Sequence, residues 1–135
     1  MIDLSEQQAY FFKGKLLVGV SPVSTGKEGT NTPKGHFRII QKDINHVSNL
    51  FGDYVDERGV VVMKNIGVRE DRRPRGAHFD GAPMPYFMRI VAGIGMHEGY
   101  LPGVPASHGC IRLPAEMAQA FYYAADIGTP VQIKP

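Results

Sequence analysis

The chain has 135 residues, a formal net charge of +2, and 43% hydrophobic against 21% charged residues. That composition is globular, suits one core over residues 1–135, and is too weakly basic to argue for nucleic acid on charge alone. No apolar run approaches the ~20 residues that span a bilayer, and "MIDLSEQQ" lacks the basic-then-apolar pattern of a signal peptide.

These features leave a cytosolic protein, or a mature domain whose export signal lies outside this chain. With 16 glycines and 10 prolines, short strands and turns are favoured over a helical bundle. "QAYFFKGKLLVGV" holds two apolar runs around Lys13 and Gly14, which predicts a hairpin. Residues 21–35, "SPVSTGKEGTNTPKG", read as a loop. "HFRIIQ" alternates Phe37 and Ile39 with Arg38, a strand pattern. Residues 41–59 are mixed and polar and predict irregular backbone. "VVVMKNIGV" (60–68) reads as a strand and "REDRRPRG" (69–76) as a solvated charged loop. "MPYFMRIVAGIGMH" (84–97) predicts one buried strand leading to His97.

One helix is expected near the C-terminus. Pro114 suits its first turn, and Met117, Phe121 and Ala124 or Ala125 recur at helical spacing. Gly128 is expected to close it and Pro130 to prevent its resumption. "VQIK" (131–134) ends the chain as a strand. The fold class expected is therefore mainly β with one helix.

"ASHGCIRLP" (106–114) contains the single cysteine, Cys110. A lone cysteine is usually a small buried hydrophobe. Here Gly109 permits close approach of backbone and substrate, and a helix start just after Cys110 offers N–H groups that favour a thiolate. His108 and His97 are candidate bases, so nucleophilic acyl transfer is one reading. A zinc site built from His97, His108 and Cys110, with Glu98 nearby, is the competing one; it lacks a second cysteine or a compact ligand pair. His36, His46 and His78 are scattered and read as surface or hydrogen-bonded side chains.

"SHGCIR" preceded by "GIGMH" resembles the active-site signature of the YkuD-type L,D-transpeptidases, bacterial enzymes that remodel peptidoglycan. The likeness extends over nearly the whole chain, through the "STG" and "TP.G.F" pattern of residues 24–37, "MPYFMRI" and "GTPVQI". It implies a mixed β-sandwich or partly open barrel with its helix after the catalytic cysteine. Cys110 matches the nucleophile and His97 its base, with the Glu98 backbone carbonyl orienting the imidazole. Ser107 and His108 match the pair that supports the site by hydrogen bonds. Gly109 and Cys110 supply oxyanion-hole amides, with His108 a third candidate. Arg112 is expected to contact a substrate carboxylate through its planar fork.

Met84, Tyr86, Phe87 and Met88 are candidates for the substrate channel; strand alternation sends half of them inward, so two of the four are expected in the core, and Tyr86 and Met88 are the two assigned to the channel. Tyr100 is assigned to the cleft rim, with Tyr54 a second rim candidate. His46 and Ser48 fall in a family-like His-x-Ser stretch, which makes His46 a candidate lining residue. The loop "EGYLPGVPA" between His97 and Ser107 is short and forms a tight cleft wall. No cofactor and no metal are expected, since the chain offers too few clustered ligands for zinc; the resemblance implies stem peptides of peptidoglycan as partners and a cell-envelope location. Carboxypeptidase or amidase activity with the same nucleophile is the alternative enzyme reading, and a wall-binding module without turnover the non-catalytic one.

Overall fold

Ten strands and one helix follow one another along residues 1–135 of the computed structural model. They are β1 (Ile2–Asp3), β2 (Gln8–Lys13), β3 (Leu16–Pro22), β4 (Gly35–Arg38), β5 (Gln41–Val55), β6 (Val61–Gly67), β7 (His78–Val91), β8 (Ile94–Glu98) and β9 (Ile111–Leu113), then α1 (Ala115–Ala124) and β10 (Pro130–Lys134). One sheet has the order β3-β2-β1-β10-β4 and the other β6-β5-β7-β8-β9. The protein is mostly β with a single helix after Cys110, the class expected. The main core lies between the sheets, where Ile2, Ile39, Met88, Ile111, Leu113 and Ile133 are almost fully buried. Helix α1 closes it with Ala118 and Phe121; the Phe121 ring lies 5.2 Å from that of Phe11.

The Lys13–Gly14 hairpin forms as expected, with Gly14 at φ +61°. Residues 41–59 overturn the irregular reading, because most of them form β5, the longest strand. Its polar residues are held by pairing with β7 along its length and with β6 near its end; partners across the sheet outweigh weak intrinsic strand preference. The register with β7 breaks between Val47 and Gly52. There the Ser48 hydroxyl accepts the N–H groups of Leu50 and Phe51, at 3.1 and 3.0 Å, and swings Phe51 toward the cleft.

Residues 84–97 are likewise two strands rather than one. The chain reverses at Ala92–Gly93, and β7 and β8 pair as a hairpin, Met88 opposite Met96. The C-terminal helix follows the predicted span, but Gly128 does not cap it. Ala125, in extended conformation, ends the helix, and Gly128 serves the turn into β10, donating its N–H to Ile39 at 2.7 Å. Strand β9 intervenes between Cys110 and α1. The helix N-terminus, capped at Pro114, is therefore not adjacent to the thiol, and the helix-dipole argument for activating Cys110 fails.

Candidate functional site

The loop over 106–110 is held almost entirely by the segment 24–32. Ala106 and Ser107 donate their N–H groups to the Thr25 carbonyl at 2.9 and 3.0 Å. The Ser107 carbonyl accepts from the Lys27 N–H at 2.9 Å and from the Thr30 hydroxyl at 3.0 Å. Thr32 Oγ1 donates to the Gly109 carbonyl at 2.6 Å and accepts the Gly26 N–H at 2.9 Å. Gly26 is the residue that permits this approach: a Cβ there would lie 2.0 Å from the Thr30 carbonyl oxygen. The "STG" and "TP" residues of the sequence are thus the buttress of the cysteine loop.

Within the loop, Gly109 takes φ +128°, which side chains rarely allow. Ser107 Oγ accepts the Gly109 N–H at 3.0 Å and donates to the Cys110 carbonyl at 2.5 Å. This corrects one assignment: the Gly109 amide is already engaged. The amides of His108 and Cys110 bond nothing else in the chain and are the ones free to meet an oxyanion.

Cys110 is 3% exposed and packs with Met84 and Phe87. Its sulfur lies 3.7 Å from the Gly93 carbonyl in the β7–β8 turn. His97 projects from β8, whose parallel register sets it beside Arg112 of β9. His97 Nδ1–H donates to the Glu98 carbonyl at 2.6 Å. That bond is the one expected from the resemblance; it fixes the tautomer and leaves Nε2 unprotonated to take a proton. Burial drives the His97 pKa down from 6.5 to about 4, and the charge of Arg112 adds to the shift. Burial pushes the Cys110 thiol up, opposed by the Gly95 N–H and by Arg89 and Arg112. At neutral pH the site therefore rests as thiol and neutral imidazole.

Cys110, His97, Ser107, His108 and Arg112 all open onto one cleft of about 200 Å³. His108 stacks flat on Phe51, ring centres 4.8 Å apart. Arg112 lays its aliphatic stem across Gly99 and donates to the Tyr100 carbonyl at 3.3 Å. Tyr100, 76% exposed, stands at the rim. His97, His108 and Cys110 do not form a metal-binding group, and no set of three or more His, Cys, Asp or Glu side chains does so elsewhere.

Two assigned substrate contacts fall away. Met88 is 0% exposed in the main core, and Tyr86 packs on that core and on Tyr122 and Tyr123 of α1. The cause is local. Tyr86 has φ +58°, which slips the alternation of β7 by one position. Met84 and Phe87 consequently share the cysteine side, while Tyr86 and Met88 share the other. Tyr54 is also buried, its hydroxyl donating to Asp71 at 2.9 Å. His46 stacks on Phe87 at 4.1 Å and contacts Asp43 at 3.0 Å, behind the cleft rather than on its wall. Sequence reasoning missed Phe51, whose signal was a strand assignment for residues 41–55, and Thr32, whose signal was the threonine of "TP.G.F".

Comparison with known proteins identifies the family and agrees with the fold. The sequence matches the L,D-transpeptidase catalytic domain family, YkuD, over residues 1–133. It is 31% identical over 123 residues to the probable L,D-transpeptidase 3 of Mycobacterium tuberculosis, covering 86% of this chain and 39% of that protein. The chain thus spans well under half the length of that relative. Its fold superposes on an L,D-transpeptidase in complex with imipenem with TM-score 0.74 at 20% identity, covering 98% of this chain and 56% of the other. With the catalytic domain of the E. faecium L,D-transpeptidase the TM-score is 0.68 at 24% identity, covering 98% and 93% of the two chains.

Proposed function

The chain belongs to the L,D-transpeptidase catalytic domain family, and on that premise we propose that it is a cysteine acyltransferase acting on peptidoglycan stem peptides in the cell envelope. The observation that carries the reading is the shared cleft of Cys110 and His97, with the imidazole locked through Nδ1 to the Glu98 carbonyl. Cys110 Sγ attacks the carbonyl of the third stem residue while its proton passes to His97 Nε2. The amides of Cys110 and His108 receive the developing oxyanion; one such donor is typically worth ~3 kcal/mol. Collapse expels the terminal D-residue, whose nitrogen takes the proton from His97, and leaves a thioester on Cys110. An amine of a second stem then attacks the thioester, loses its proton to His97 and returns the thiol, forming a 3→3 crosslink. Arg112 holds the carboxylate end of the donor.

Incubation with a disaccharide-tetrapeptide, read by mass spectrometry, tests this. A crosslinked dimer with release of the terminal residue is expected, and none from Cys110→Ala. Tripeptide without dimer would make water the acceptor and the protein an L,D-carboxypeptidase. An unchanged substrate would reject both enzyme readings and favour wall binding without turnover.

A further inference from the structure

A second opening lies on the other face of the catalytic sheet. It is an apolar cavity of about 390 Å³ between the sheets, entered beside the β2–β3 hairpin. Its lining runs inward to Met96, Phe121 and Val131, each 6% exposed, with Met88, paired with Met96 across β7 and β8, and Ile39 packed beneath them. Phe87 and His97, one position further along the same strands, belong to the other side of the sheet. The cavity and the cysteine cleft are therefore separate.

The volume falls within the range of small-ligand pockets, ~300–1,000 Å³. By comparison with a ~150 Å³ cavity that holds six-carbon benzene, a volume of about 390 Å³ corresponds to roughly 15 carbons, room for a chain of about 12. The mouth is shaped for an apolar entrant. The register of β2 shifts between Phe11 and Phe12, so that these two consecutive rings both line the opening, the re-aiming a bulge produces. Leu16, 68% exposed, and Leu17 and Val18 continue the apolar surface outside it.

The β2–β3 turn reaches the opening through Gly14. The two residues that flank Gly14 in the chain, Lys13 and Lys15, are exposed and enter no ion pair. The acids on this side are engaged. Asp3 bonds Ser5, the Glu6 N–H and Lys134, and Glu6 accepts the Tyr10 hydroxyl at 3.1 Å. An apolar chamber behind two free ammonium groups fits one chemistry. We infer that this cavity binds a single hydrocarbon chain carrying an anionic head group, the chain between the sheets and the head on Lys13 and Lys15.

The test uses dodecanoate below its micelle concentration and vesicles of phosphatidylglycerol, the free and membrane-borne forms of that chemistry, with inorganic phosphate as a head-only control. Calorimetry should show one saturable site for dodecanoate and none for phosphate. With 13C-labelled methionine methyls, Met1, Met88 and Met96 should shift on binding, while Met63, Met84 and Met117 stay in place. Ala9→Leu, which fills the cavity, should weaken binding at least tenfold. The Lys13→Glu, Lys15→Glu pair should weaken dodecanoate tenfold and uncharged 1-decanol less than twofold. Should Ala9→Leu fail to fold, the methyl map on the unmodified chain decides alone. Sedimentation of the protein with vesicles, lost in the lysine pair, would name the membrane as the source; binding of dodecanoate without sedimentation would name a free amphiphile. Absence of saturable binding to both forms, or shifts confined to Met84, would overturn the inference. So would a dimer that Leu16→Lys dissociates, with no dodecanoate binding; a second copy would then own this surface.

Discussion

Replacing Ser107 with alanine removes one oxygen that serves two buried backbone groups. The Gly109 N–H loses its acceptor at 3.0 Å and the Cys110 carbonyl its donor at 2.5 Å, in a residue only 3% exposed. A buried polar group left without a partner costs ~1–3 kcal/mol, so the pair should cost about 3–4 kcal/mol. For a chain of this size each kcal/mol lowers the melting temperature by roughly 3–5 °C. Calorimetry of Ser107→Ala should therefore show a fall of about 10 °C or more. Hydrogen exchange should show the Gly109 amide newly open, because Ser107 Oγ is its partner. Acylation should slow as well, since the carbonyl that Ser107 Oγ holds belongs to Cys110 itself. A variant melting within about 2 °C of the parent, its Gly109 amide still protected, would refute the claim that this hydroxyl shapes the loop.

Acid should weaken the fold through His97. Its pKa is about 4 folded against 6.5 ordinarily, so the unfolded chain binds the proton first, stability falls as pH drops from 6.5 to 4, and the full loss is about 3 kcal/mol; denaturant melts of His97→Gln should be flatter across that window, and parallel curves would contradict the shift. Burial raises the Cys110 pKa above its ordinary 9, so iodoacetamide labelling should keep accelerating past pH 9, whereas a plateau near neutrality would reveal a resting thiolate. Arg112→Ala should lower donor kcat/KM by about 10- to 100-fold through loss of a charge-assisted bond, with lysine restoring only part; unchanged kinetics with a lowered melting temperature would make Arg112 structural. A carbapenem should form a stoichiometric adduct that survives denaturation and is absent from Cys110→Ala; an unchanged protein mass under those conditions would argue against an acylation site.

What was legible in the sequence is what short-range chemistry determines. The turn at Gly14, the helix around Phe121 and the cysteine loop all carry their signal within a few residues. The motif likeness chose His97 over His108 as the base and added its Glu98 carbonyl partner; the structure brings both to the cleft. The failures have long-range or backbone causes. Residues 41–55 look irregular because their strand character comes from β7 and β6, distant in sequence. Tyr86 and Met88 were placed on the wrong face because period-two counting assumes unbroken alternation, and a left-handed tyrosine breaks it. Thr32 stands out in the sequence as the threonine of "TP.G.F", but its partner, the Gly109 carbonyl, lies 77 positions away and no local pattern identifies it.

The opposed shifts of His97 and Cys110 bear on how the site discriminates. An imidazolium formed in the empty cleft costs about 3 kcal/mol more than one in water, and burial penalises the thiolate as well. The ion pair is thus disfavoured before substrate arrives. In the reaction proposed above, a donor carbonyl in the cleft would take the charge leaving sulfur onto its oxygen, where the amides of Cys110 and His108 and the new imidazolium would all attract it. Stabilisation then appears at the transition state rather than the ground state, which raises turnover instead of merely tightening binding. A small alkylating agent develops no such oxyanion and gains nothing from those groups. Amide mimics that do develop one should therefore outpace iodoacetamide at neutral pH, and the advantage should shrink as pH climbs toward the thiol pKa. An iodoacetamide rate at pH 7 equal to that of an ordinary ionised thiol would mean that the pair is charged at rest, and the buried-neutral account of this cleft would be wrong.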